Sequence, residues 1–246
     1  MERTEFKSHI SGQYNQNLED LFNQVLEMGG LVEAQLTNTV EAIKCENKKL
    51  AKEVKQIDKI VNKGEIEIDR LCARVLARQQ PTASDLRLVV SAIRIAVDLE
   101  RIGDEAVNIS KLAIKMAKVQ DVPCETLPAY KCLMEMIAID LAMLKKVLTS
   151  FAQLDLDGIA ETVEDELRVN EIKSIALKEI QVSLNKDTDE IAEYMMQMIY
   201  SVRAAERISA HIVNITESIV YLINGHNVRH MNSEKLSSFL SAENQD

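Results

Sequence analysis

"ERIGDEAVNIS", Glu100 to Ser110, returns later in the chain as "ERISAHIVNIT", Glu206 to Thr216. Six of the eleven positions are identical, and Ser110 is matched by Thr216 at an offset of 206 minus 100, or 106 residues. Apolar residues recur in each copy at three- and four-residue intervals, the period of one helix face. A chain that carries one amphipathic helix twice is expected to carry one helical bundle twice.

Upstream, the seam containing the first copy runs through Leu88, Ala92, Ile95, Leu99, Ile102, Ala106 and Ile109. It is preceded by "QQPTASD", where Pro81 stops one helix and Thr82, Ser84 or Asp85 is placed to cap the next. Two further seams lie before it: Leu18, Phe22, Val25, Gly29, Val32, Leu36, Ile43, and Leu50, Val54, Ile57, Val61, Gly64, Ile68, Leu71, Val75. After Pro123 and Pro128 the scheme repeats. One helix is expected through Leu133, Ile137, Leu141, Leu144, Leu148 and Phe151, a second through Val163, Val169, Ile172, Ala176 and Ile180, and a third from about Asp187 to Asn224.

"DKIVNK" from Asp58 has its counterpart in "ELRVNE" from Glu166, at an offset of 108. The reading is therefore all-α: two duplicated, elongated three-helix bundles at 1–122 and 123–230, followed by a polar tail at 231–246. Helices of about thirty residues are roughly 45 Å long. Gly64 and Gly103 fall inside helices, where glycine costs about 1 kcal/mol relative to alanine, and close helix approach is the expected return.

Seven glycines, three prolines and 4% aromatic residues are too little turn chemistry for a many-stranded sheet. A formal net charge of -10 argues against a nucleic-acid partner, which needs a concentrated basic surface. Cys45, Cys72, Cys124 and Cys132 form no C-x-x-C pair and read as small buried residues in a reducing compartment. The N-terminus lacks the apolar core of a signal peptide and no run is long enough to span a membrane, so a cytoplasmic chain is expected that meets a membrane only through partners. There is no phosphate-cradling G-x-x-x-x-G-K-[ST] loop and no nucleophile with its base, so an enzyme is not expected.

The charged positions divide. On the third helix a second apolar stripe, Leu86, Val89, Ile93, Val97 and Val107, lies away from the main seam, and Glu100 and Asp104 fall within it. Arg94, Asp98, Arg101 and Glu105 occupy the sector between the stripes and read as solvated or paired. On the second helix Asp58, Asn62, Glu65 and Asp69 share one face at 4,3,4 spacing. If these helices are neighbours, Asp58/Asn62 and Glu100/Asp104 converge into an oxygen-rich site suited to magnesium, calcium, manganese or carboxylate-bound iron. The other reading is a solvated acidic face.

His226, His230 and His211 read as surface residues. A ferritin-type oxidase needs two Glu-x-x-His pairs, and the residues three positions before His9, His211, His226 and His230 are Phe6, Ile208, Ile223 and Asn227.

"MGGLVEAQL", "RQQPTASDLRLVVSAIRIAVDLERIGDEAVNI" and "AERISAHIVNITESIVYLINGHNVRH" closely resemble the PhoU family of phosphate-signalling regulators, over about residues 7–232. The resemblance implies a cytoplasmic, dimeric, non-enzymatic adaptor that restrains phosphate uptake and the phosphate-starvation response when phosphate is plentiful. It implies contacts with PstB, the ATPase of the high-affinity phosphate transporter, and with the sensor kinase PhoR.

Some members bind iron or zinc clusters through E/D-x-x-x-D motifs. Glu100 and Asp104 match that motif, whereas Asp58 is followed by Asn62, Glu166 by Asn170, and Glu206 by Ala210. The implied metal residues are thus Asp58, Asn62, Glu100 and Asp104 in the first half, with Glu166, Asn170 and Glu206 a depleted set in the second. A metal-binding bundle without a signalling role and a purely structural helical dimer are the competing readings.

Overall fold

The computed structural model describes residues 9, 11–81, 83–117, 123–185, 189–229, 231 and 233–243. They form α1 (Gly12–Lys44), α2 (Lys48–Gln79), α3 (Ala83–Met116), α4 (Tyr130–Gln153), α5 (Glu161–Leu184), α6 (Asp189–Asn224) and α7 (Ser233–Glu243), with no strand among the described residues. Local chemistry sets several of the ends. Ser11 caps α1, its Oγ accepting from the Tyr14 amide at 3.3 Å, and Asn47 caps α2, its Oδ1 accepting from the Lys49 and Leu50 amides at 3.0 and 3.1 Å. Gln80, in the left-handed region at φ 47°, ends α2 just before Pro81. Asp85 lies in the first turn of α3, not at its cap; Thr82 lies outside the described residues.

α1, α2 and α3 pack together, as do α4, α5 and α6. All seven seam residues expected on α3 are buried. On α4 the pattern needs correction. Asp140 and Val147, not Leu141 and Leu148, are fully buried in the bundle seam with Leu133, Ile137, Leu144 and Phe151. Leu148 instead faces α1, where a Cβ added at Gly29 would collide with it. The apolar surface of α4 is thus double-sided, and the stacked rings of Phe22 and Phe151, 4.6 Å apart, tie α1 to α4.

The two halves meet chiefly through α3 and α6, the most extensive helix pair. Ser91 Oγ donates to the Ser218 carbonyl, Asp98 faces His211, Glu105 faces Arg207, and Gln197 donates to the Asn108 carbonyl. These pairs run in opposite directions along the two helices, so α3 and α6 are antiparallel and the duplicated segments lie against each other.

Three further expectations are corrected. The segment read as a polar tail folds over Ser233–Glu243 as α7, because Leu236 and Leu240, four residues apart, bury one face. His226 helps seat it, 5.6 Å from the Phe239 ring; His230 lies outside the described residues. Cys45 is exposed, while burial pushes the Cys72 and Cys124 thiols up to about 12. At Gly64 an added Cβ would make only an ordinary 3.8 Å contact with Met28, so close approach does not require that glycine.

Candidate functional site

The acidic residues of the first half do come together where α2 and α3 face α1. Gln35, buried on α1, donates through Nε2 to the Gly103 carbonyl at 3.0 Å and to Asp58 Oδ1 at 3.3 Å. Gly103 makes room for this bridge, since an added Cβ there would lie 2.9 Å from Gln35 Oε1. The glycine's role is side-chain access to the α3 backbone.

Around this bridge the carboxylates act on one another. Burial raises the Asp58 pKa, and the nearby Asp104 charge adds to it. Glu65 is raised by burial and by Asp69 and Asp104; Glu100 is raised by burial and then by Asp104, Glu65 and Asp58. Arg101 offsets part of this, lying 3.5 Å from Glu100 and 3.6 Å from Asp104. Such mutual repulsion marks a surplus of negative charge that a proton or an external cation would relieve.

The chemistry of the donors, carboxylate and amide oxygens alone, is of the kind a hard cation prefers. Two amide oxygens beside the carboxylates, Gln35 Oε1 and Asn62 Oδ1, are buried without a hydrogen-bond partner. Among the described residues no three His, Cys, Asp or Glu side chains close around a single point, so the group is a convergent acidic face and not a closed cage.

The second half is built differently. Glu166 is raised by burial, Asn170 donates to it, and Lys173 brings its ammonium to 2.9 Å from Asn170 Oδ1 and 3.3 Å from Glu206. At the 108-residue offset Lys173 occupies the place of Glu65. The protein supplies its own cation there, so Glu166, Asn170 and Glu206 do not fit a metal as the first-half set does.

Sequence reasoning assigned no special role to the sector between the stripes of α3. In the structure Asp98 and Glu105, with side chains only 14% exposed, make charged contacts between the halves: Asp98 accepts from His211 and Asn214, and Glu105 pairs with Arg207 at 2.7 Å. His211 is therefore a contact residue and not a surface variant. The buried Asp85 was also passed over except as a cap. Its Oδ2 accepts from Tyr14 and meets His9 Nε2, both at 2.9 Å, which ties the start of the chain to α3. An unpaired acid just after a proline-broken turn was the only signal for it.

Comparison with known proteins places this architecture. The PhoU domain model matches residues 25–113 and 133–219, one match in each half. The chain is 36% identical over 246 residues to the phosphate-specific transport system accessory protein PhoU of Serratia marcescens, covering 98% of this chain and 97% of that one. It is 33% identical over 250 residues to the protein of that name from Escherichia coli K12, with both chains fully covered. The crystal structure of PhoU from Pseudomonas aeruginosa superposes with a TM-score of 0.80 at 34% identity, covering 87% of this chain and all of that one. The PhoU structure from Streptococcus pneumoniae gives 0.75 at 27% identity, covering 87% and 98%. With a match in each half and relatives aligned from end to end, the chain belongs to the PhoU family.

Proposed function

We propose that this chain is a non-enzymatic regulatory adaptor of phosphate transport, acting in the cytoplasm. It restrains phosphate uptake and the phosphate-starvation response when phosphate is plentiful, by linking the transporter ATPase PstB to the sensor kinase PhoR. The carrying observation is the end-to-end similarity to proteins named as accessory to the phosphate-specific transport system.

The geometry supports an adaptor. α3 and α6 join the halves and still expose Leu86, Val97, Met196 and Tyr200, but most of the exposed large apolar residues described lie on α2 and α5. These are Ile60, Ile66 and Leu76 on α2, and Leu167, Ile175, Val182 and Leu184 on α5. Each half thus exposes apolar residues of its own, distributed around its second helix, and contacts with partners or self-association as a homodimer would use part of this surface. No helix among the described residues is long and apolar enough to cross a membrane.

Capture of the untagged protein from phosphate-replete cells, after crosslinking in vivo, tests this reading. Recovery of both the ATPase and the kinase is expected; recovery of neither contradicts it.

A metal is part of the reading in the first half only. Asp58, Asn62, Glu100 and Asp104 would hold it, and its chemistry there is neutralisation of the mutually repelling carboxylates that join α2 to α3. Elemental analysis of untagged protein should find iron, zinc or another divalent ion, lost in Asp104→Ala together with the thermal stability it confers. A metal-binding bundle without a signalling role is the second reading. It is favoured if metal is present and no partner is recovered.

A further inference from the structure

Arg87, Arg94 and Arg101 stand at seven-residue spacing on α3, and two of them are committed to acceptors within the protein. Arg87 donates through Nε to the Leu222 carbonyl at 3.0 Å, and Arg101 sits between Glu100 and Asp104. Arg94 is different. Its guanidinium lies over the Tyr221 ring, 5.3 Å from the centroid, and among the described residues no carboxylate comes within ion-pair distance of it.

Arg94 lines a cleft of about 440 Å³ between α3 and α6, into which the segment after α6 brings Arg229. Arg229 likewise has no ion pair among the described residues. Two uncommitted guanidiniums in one cleft are unusual in a chain with 39 acidic residues against 29 basic ones. The cation–π contact holds the Arg94 guanidinium against the ring while leaving its N–H groups without a carboxylate partner among the described residues.

The cleft also carries acceptors. Among the described residues Asp98 takes its hydrogen bonds, from His211 and Asn214, on Oδ1 alone, and Glu217 is a second carboxylate in the lining. An anion that only accepts would meet repulsion from these acids. An oxyanion that keeps a hydroxyl would accept from the arginines and donate to the carboxylate, using both signs of charge.

We propose that this cleft binds hydrogen phosphate, free or as a phosphate monoester, with Arg94 and Arg229 donating and Asp98 accepting from the P–OH group. Its volume lies in the range of small-ligand sites. A ligand there touches α3 of one half, α6 of the other and the lead-in to α7, so binding would report phosphate to the joint between the halves. The site is independent of the adaptor reading, since phosphate binding is scored on the purified chain with no partner present.

Titration calorimetry on the full chain with inorganic phosphate, sulfate and AMP tests it, with circular dichroism confirming that each variant is folded. Phosphate should bind and sulfate should not. Arg94→Gln and Arg229→Gln should each weaken binding by at least about tenfold, while Arg70→Gln, which removes an equal charge from α2, should leave it unchanged. Asp98→Asn should admit sulfate. Stronger binding of AMP than of phosphate identifies a monoester as the ligand. No phosphate or AMP binding up to about 10 mM, sulfate binding equal to phosphate, or equal weakening by Arg70→Gln would overturn the proposal.

Discussion

Burial favours the protonated form of the Asp140 carboxyl: desolvation raises its pKa well above the ordinary aspartate range, and neither oxygen has a hydrogen-bond partner among the described residues. In the unfolded chain the same group ionises at about 3.9. Above that pH unfolding releases a proton, so stability is greatest at low pH and falls as pH rises toward the folded pKa, by about 1.4 kcal/mol per pH unit. Asp140→Asn removes this slope. Chemical denaturation across this range should find the variant more stable than the parent at neutral pH and the two converging on acidification; parallel profiles would contradict the assignment. A second titration concerns Glu100, whose raised pKa owes most to burial and next to Asp104. In metal-free Asp104→Asn the Glu100 carboxyl should titrate at lower pH than in the parent, as read by carbon NMR of the side chain. Unchanged titration would place the two charges too far apart to share a site. Glu100 and Asp104 were legible in sequence as acids within an apolar stripe. Asp140 was not, because Leu141 and Leu148 beside it satisfy the same period.

At the scale of elements, burial within the α3 seam and the partly exposed ion pair that joins α3 to α6 contribute unequally to stability. Ile102 is fully buried in the α3 seam, whereas Arg207 is half exposed in its bridge to Glu105. Ile102→Ala should therefore cost about 2–5 kcal/mol of unfolding free energy, and Arg207→Ala less than about 1 kcal/mol. Equal losses in denaturant titrations would mean that the ion pair carries stability that its exposure does not support. The α3 seam was readable because its seven apolar positions keep strict three- and four-residue spacing, unbroken by a charged residue. α4 misled because it has two apolar faces, one toward α5 and α6 and one toward α1, and periodicity does not rank them. α7 escaped notice since its burial rests on Leu236 and Leu240 within a short polar stretch.

For the whole molecule, the repeat of Glu100–Ser110 at Glu206–Thr216 announces two copies of one unit but is silent on how they meet. The contacts between them, Asp98 with His211 and Glu105 with Arg207, join residues of the types that usually face water and lie far apart in sequence. Duplication followed by divergence also explains the unequal acidic faces: Lys173 replaces Glu65 and Ala210 replaces Asp104, so the second copy neutralises itself while the first retains its surplus charge. The joined α3 and α6 then form a spine, while α2 and α5 expose several apolar residues. The proposed adaptor role is tested most directly by deleting the chain and measuring phosphate-starvation gene expression in cells grown with abundant phosphate. Expression should be high in the deletion strain and fall when the intact chain is restored. Expression that stays low without the chain would contradict a restraining adaptor.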